Sequence, residues 1–504
     1  MTGPAYVGLR YGTSRGRWVV ASTVLGSGMA SIDATVVGIA LPTIGRQFHA
    51  SIGTLQWVVT GYSLTLSALL LLGGSLGDHY GRRRVFLIGV TWFALASAAC
   101  AIAPGTTLLI AARILQGVGA ALLTPGSLAI LQASFRRDDR APAIGAWSGI
   151  GGVASAAGPL LGGYLVTAGS WRLIFVINIP VGVVVLFLSA RFIPESRDPT
   201  ATGGIDLPGA GLATLALSGI TYGLIEGPTR GWTSPVVLTA ISVGVLASVS
   251  FIVVERASDE PMLPLGLFRS RQFTITNAVT FVVYGALGGA LFLLPVELQV
   301  VDHYSPLQSG VALLPLTAIM LLLSARSGRL ASKIGPRLQM GVGPVVVGLG
   351  LGLLARTTTD RSYGSGVLPA VIVFGLGLAI TVAPLTATAL GAVPDEHSGL
   401  ASAVNNDVSR LAGLIAVAVL PALSGISGSS YLHPESLEGG FRTAVIICSI
   451  LCLVGGALAA VGIRNPTPTS PTDPLRPDPA VTSGSECFHC ALDGTPVSVT
   501  DSRQ

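Results

Sequence analysis

Stretches of about 20 apolar residues recur along the chain, each closed by a short run of glycine, proline or charge. A helix needs ~20 such residues to cross the hydrocarbon core of a bilayer. Windows of about 19 residues place fourteen spans, near 18–41, 55–76, 85–103, 107–134, 143–167, 172–193, 208–227 and 235–254, then 273–298, 307–326, 338–355, 366–390, 400–423 and 441–463. A lone spanning segment has no water to hydrogen-bond its backbone, so helices are the form expected. The fold class is an all-α polytopic membrane protein.

Composition agrees. Of 504 residues, 50% are hydrophobic and only 11% charged, with a mean hydropathy of +0.71, where soluble proteins carry roughly 25% charged residues. The net charge of +5 does not point to nucleic acid, because the basic residues lie in the connections. They alternate. Arg10, Arg15 and Arg17, Arg82 to Arg84, the "RRDDR" of 136–140, Arg191 and Arg197, Arg269 and Arg271, and the group Arg326, Arg329, Lys333 and Arg337 fall on one side. Arg46, Arg172, Arg230, Arg356 and Arg361 are sparser and fall on the other. Basic loops stay in the cytoplasm, so both termini are expected inside.

The apolar run after the N-terminal segment lacks a small-residue cleavage site and reads as a first span, not a signal peptide. The five cysteines imply no disulfide framework. The proline- and threonine-rich tail from Arg464 is expected to be disordered. Its "CFHC" at 487–490 lacks a second ligand pair, and no metal site is expected. The organisation is a cytoplasmic N-terminus (1–17), a six-helix bundle (18–193), a linker with two inserted helices (194–272), a second six-helix bundle (273–463) and a cytoplasmic tail (464–504).

An internal repeat supports the two bundles. "LPTIGRQFHASIGTLQW" (41–57) is echoed by "LPVELQVVDHYSPLQSG" (294–310), and "GSLGDHYGRR" (74–83) by "GRLASKIGPR" (328–337). Pro42 and Pro295, Gln56 and Gln308, and Gly74 and Gly328 share one offset within a residue or two. Repeats of this kind belong to secondary transporters, with the substrate site between the halves.

Charge inside the spans is the candidate chemistry. Asp33 lies within span 1; a carboxylate in hydrocarbon is costly and marks function by default. Desolvation favours its protonated form, as a proton carrier requires. The alternative is an aspartate bonded to backbone that never titrates. Counted from Pro42, Asp33 lies roughly 13 Å deep, and Arg113 roughly 9 Å below the start of span 4, at ~1.5 Å per residue. The two are expected to pair, directly or through Gln116, either as a switchable pair or as a static bridge. Asp407 ranks second as a coupling residue, three positions from Arg410, which can neutralise it. Glu226 and Glu297 lie at the outer ends of spans 7 and 9. The cavity is expected to be lined by Trp57, Tyr62, Gln116, Asn178, Tyr284 and Asn405. No phosphate-binding G-x-x-x-x-G-K-[ST] motif occurs, which excludes ATP as the energy source, and no nucleophile, base and orienting group suggest an enzyme.

Several motifs resemble those of the major facilitator superfamily, and within it the fourteen-span drug:proton antiporters. "GSLGDHYGRR" is similar to its signature loop through Gly74, Leu76, Asp78, Gly81, Arg82 and Arg83. "RILQGVGAA" (113–121) resembles the span-4 motif, and "GPLLGG" (158–163) the antiporter motif of span 5. "LQWVVTGY" (55–62) and "WRLIFVINIPVG" (171–182) resemble hallmarks of the fourteen-span branch. Gly38 stands where the family commonly has asparagine, and Ala154 replaces a motif glycine. The resemblance implies proton-driven efflux of amphipathic organic compounds across the bacterial inner membrane by alternating access, in a monomer without cofactors. It gives Gly74, Asp78, Gly81, Arg82 and Arg83 the role of a conformational latch. Gly158, Pro159, Gly162 and Gly163 become a bendable seam. Uptake symport of a small solute and a non-transporting sensor or lipid-handling scaffold are the alternatives.

The topology has a direct check. In a cysteine-free background, a cysteine at position 84 should react with an impermeant maleimide only after the membrane is opened; labelling of intact cells would invert the assignment.

Overall fold

Local signals start and stop the helices. Thr13 accepts a hydrogen bond from Gly16 N and caps the first span; His49, in the left-handed region, ends it. Ser51 caps the second through Thr54 N. Gly81, with φ of 112°, separates spans 2 and 3, and Gly335, with φ of 84°, separates spans 10 and 11. These two sit one repeat apart and use the same device, a backbone conformation that favours glycine.

The computed structural model describes residues 8–198, 204–258, 261–356, 362–394 and 398–465. Among them, fourteen helices are long and apolar enough to cross a membrane. Spans 1 to 6 are Ser14–Phe48, Ile52–Tyr80, Arg82–Ala101, Thr106–Ser134, Arg137–Ala168 and Leu173–Phe192. Spans 7 and 8 are Leu207–Arg230 and Pro235–Ala257. Spans 9 to 14 are Arg271–Val300, Pro306–Ile334, Pro336–Leu354, Val367–Leu390, Leu400–Leu423 and Pro434–Gly462. Most run past the expected limits. Pro42 lies inside span 1 instead of ending it, because a proline costs one backbone bond and does not by itself stop a helix whose neighbours hold it. Residues 466–504, with the proposed tail and its "CFHC", and Arg361 lie outside the described residues.

Between helices in lipid, hydrophobic attraction is weak and close backbone approach takes its place. Spans 3 and 4 meet at Gly89 and Gly119, where a Cβ would lie 2.8 Å from Leu123 N and 2.7 Å from Phe93 N respectively. Spans 11 and 12 repeat this at Gly350 and Gly377, 2.5 Å from Phe374 N and 2.4 Å from Val347 N. The Gly74 and Gly328 echo is also structural: each faces a neighbour at 3.6 Å, Pro125 of span 4 and Ala383 of span 12. Gln56 and Gln308 have diverged. Gln56 crosses to the second half, donating to Val417 O at 2.6 Å and Ala418 O at 3.0 Å. Gln308 closes a capping box with Ser305.

The strongest joint between the halves among the described residues lies at one end. A shared apolar core runs from Val36, Ile39 and Ile44 through Leu55 to Leu294, Leu298 and Val301. Gln299 donates to Ile39 O at 2.9 Å, Tyr431 to Ala50 O at 2.8 Å, and Ile52 N to Gly428 O at 2.8 Å. At the opposite, arginine-rich end the cores are separate: Val19, Phe86, Ile130 and Phe135 in the first half, Leu267, Phe273 and Val404 in the second. A cavity of about 540 Å³ opens there, with Gly74, Asp78, Pro125, Leu400 and Asn406 on its walls. Leu9 bridges to Phe135, and Gln272 exchanges hydrogen bonds with Arg464, so both ends of the described chain lie at this end.

Gly119→Val should force spans 3 and 4 apart, since the obstructing atoms are backbone, and overpacking of this kind costs roughly 1–3 kcal/mol. Gly149, with nothing within 4 Å of its Cβ position, is the control. A lowered unfolding midpoint for the first and an unchanged one for Gly149→Val, in detergent, is the expected result.

Candidate functional site

The four-helix polar network around Asp33 is the densest concentration of polar bonds inside the spans. The Asp33 and Arg113 side chains are each 1% exposed. Arg113 donates Nη1 to Asp33 Oδ2 and, at 2.7 Å, to Gln116 Oε1, and donates Nε to Val58 O at 3.1 Å. Asp33 Oδ1 accepts from Gln116 at 2.9 Å and from Asn178 at 3.2 Å. Both amides also donate to Ser97 Oγ, at 3.1 and 2.9 Å, and the Ser97 hydroxyl donates to Phe175 O at 3.1 Å. The guanidinium lies 4.3 Å from the centroid of the Tyr62 ring, whose hydroxyl donates to Ala30 O. Spans 1, 3, 4 and 6 supply the polar side chains, and span 2 the aromatic face.

Tyr62, Gln116 and Asn178, expected on the wall of the central cavity, are instead buried inside the first bundle, at 2%, 0% and 3% exposure. The ion pair requires them: a charge away from water must have its bonds completed by protein. Ser97 cannot be singled out from the sequence. A lone serine in "FALASAACA" has no distinguishing signal, since serines within spans commonly bond their own helix.

The second half carries a neutral counterpart. Asn405 donates to Asn277 Oδ1 at 3.0 Å and Thr280 Oγ1 at 2.9 Å, joining spans 13 and 9, so it too is buried and not on a cavity wall. Tyr284 is half-buried in span 9. Asp407 and Arg410 form no ion pair with each other among the described residues; Asp407 Oδ1 and Arg410 Nε are buried, and Ser67 of span 2 lies beside the Asp407 carboxylate. Glu297 is 5% exposed with one oxygen unpartnered.

The signature loop binds within its own half. Asp78 pairs with Arg82 at 2.8 Å, and Arg83 with Glu195 at 3.8 Å, while Arg83 also donates to Ile193 O. Arg82 N and Asp78 O bond residues 196 and 198, the stretch that follows span 6. These bonds of Asp78, Arg82 and Arg83 all stay within the first half. Gly74 stands beside Pro125, and Gly81 leaves room for Glu195, which would lie 2.7 Å from a Cβ there.

Span 5 brings its backbone close to that of the second half. A Cβ on Gly163 would lie 2.5 Å from Pro306 O, and one on Gly310 2.3 Å from Pro159 O. Gly158 and Gly162 fit against Thr35 and Val36 of span 1. Nothing lies within 4 Å of a Cβ at Gly38, so the missing asparagine leaves open space.

Trp57 faces elsewhere. It donates to Glu226 at 3.2 Å, and Glu226 pairs with Arg230 at 2.8 Å. Glu226 is therefore bonded at the end of span 7, not simply reaching for solvent. With Tyr222, Leu64, Ile114 and Val236, Trp57 lines an apolar cavity of about 820 Å³ between the first bundle and the inserted spans.

Known proteins agree with this architecture. A bacterial homologue of the human lysosomal transporter Spinster, crystallised inward-facing and unoccupied, superposes with a TM-score of 0.65 at 17% identity, covering 89% of this chain and 97% of that one. The multidrug resistance protein Stp of Mycobacterium tuberculosis (strain CDC 1551 / Oshkosh) is 37% identical over 82% of this chain and 77% of its own. The tetracenomycin C resistance and export protein of Streptomyces glaucescens is 34% identical over 81% and 76%. Residues 23–417 match the family model of the Major Facilitator Superfamily, and the chain, a multi-pass membrane transporter and not an enzyme, belongs to that family.

Proposed function

We propose that the protein exports amphipathic organic compounds across the bacterial inner membrane in exchange for protons, with its arginine-rich end in the cytoplasm. The resistance and export functions named for its relatives support efflux. The observation that carries the coupling is the fully buried Asp33–Arg113 pair, which ties the helix holding the acid to the contacts joining the halves.

Span 1 bears Asp33 and, further along, Thr35, Val36 and Ile39, which meet Gly158, Gly162 and Gln299. Span 2 supplies Val58 O and the Tyr62 ring to Arg113 and sends Gln56 across to span 13. A proton on Asp33 cancels its charge and removes an acceptor of the guanidinium. Arg113 then keeps Gln116 and Val58 O, and span 1 loses its ionic tie to span 4. Spans 1 and 2 are released together, and with them the joined end. Deprotonation rebuilds the pair and the seal. Alternating access follows if substrate and proton each favour one arrangement.

Asp33→Asn should insert and fold yet lose proton-driven efflux in inverted vesicles; wild-type transport would end the coupling role. Arg113→Ala leaves Asp33 without its cationic partner, so proton-driven efflux should fall and its pH profile should differ from that of the wild type. Lysine keeps the charge but not the planar fork, and should restore coupling only in part. The double variant should be no worse than the worse single one; additive losses would show that the residues work separately. Ser97→Ala strands two amide donors, at a cost of about 1–3 kcal/mol, and should lower the unfolding midpoint.

A further inference from the structure

The inserted helices bring two carboxylates together at the arginine-rich end. Asp206 caps span 7, its Oδ1 accepting from Gly209 N at 2.7 Å. Glu255, 3% exposed near the end of span 8, accepts from Leu263 N at 2.9 Å through Oε2. One oxygen of each acid is thus used. The other two, Asp206 Oδ2 and Glu255 Oε1, are buried with no partner. They converge on one point: a Cβ on Gly209 would lie 2.3 Å from the first and 2.8 Å from the second. Among the described residues Asp206 is the charged group facing Glu255; the linker stretch "PMLPL" (261–265) offers it backbone N–H groups and apolar side chains, and Arg256 is exposed.

Two carboxylates so placed cannot both be ionised at low cost, and a shared proton resolves the conflict. Donated from Glu255 Oε1 to Asp206 Oδ2, it turns two stranded acceptors into one hydrogen bond. The helix N-terminus favours the negative charge on Asp206, which leaves the proton on the more deeply buried Glu255.

We propose that Asp206 and Glu255 form a proton-binding dyad, separate from Asp33, that clamps the linker after span 8 against the open end of the molecule. Pro261 and Met262 of that linker, with Asp206, line the cavity beside Gly74 and Asp78. When the proton leaves, a second negative charge appears in a buried site; Glu255 turns outward, Leu263 N loses its acceptor, and the linker comes away from the mouth. The dyad therefore closes on acidification and opens as pH rises. That it reads cytoplasmic pH rests on the sidedness proposed above; the dyad itself does not.

The test uses the purified full chain in lipid nanodiscs. Infrared difference spectra against pH should show a carboxyl C=O band retained at neutral pH, absent in both Glu255→Gln and Asp206→Asn and present in Asp33→Asn. Hydrogen exchange of residues 261–270, corrected for intrinsic rates, should accelerate as pH rises in the wild type. In Glu255→Gln, whose amide mimics the protonated acid, the segment should stay protected throughout. A band indifferent to both substitutions, or protection independent of pH in the wild type, overturns the proposal. So would saturable binding of Mg²⁺ or Ca²⁺ that displaces the band and is lost in Glu255→Gln, since the dyad would then be a cation site.

Discussion

A charge within hydrocarbon must be neutralised by a partner on another helix, and in this protein that requirement organises the first bundle. Asp33 obtains its bonds from Arg113 and Gln116 of span 4 and Asn178 of span 6, and Arg113 in turn from Val58 O of span 2. Burying an ion pair is no gain in stability by itself, because desolvation offsets the attraction. Its effect is positional. Five helices share one electrostatic site, and a change of one charge there is felt by each of them.

The same helices carry the joint between the halves. Gln56 and Gln299 send their amides to backbone carbonyls of the opposite half, and span 5 approaches span 10 through glycines at both sides of the seam. These bonds all lie at one end. At the other end each half is closed by its own apolar core, and Asp78, Arg82 and Arg83 bond residues 193–198 of their own half. A rocking motion about the joined end therefore need not tear a continuous core.

Duplication supplied the frame and divergence the chemistry. The glycine breaks at 81 and 335 and the seams of spans 3–4 and 11–12 are held in common. The polar centres are not: an ion pair in the first half stands opposite the uncharged Asn277, Thr280 and Asn405 in the second. The two halves are therefore chemically unequal at these matched centres.

The number of spans and the two halves are legible in the chain because each is a one-dimensional property: run length and repeat offset. The pairing of Asp33 with Arg113 followed from matched depth, even though span 1 continues past Pro42, because depth was counted from the proline and not from the helix end. Direction around a helix is different. Tyr62, Gln116, Asn178 and Asn405 were placed on a cavity wall but turn into the bundles, and Trp57 turns toward the inserted spans. Ser97, Glu195 and the convergence of Asp206 with Glu255 carried no signal. Which face of a helix meets which neighbour is set by glycine seams between distant segments, and those exist only once the helices are packed.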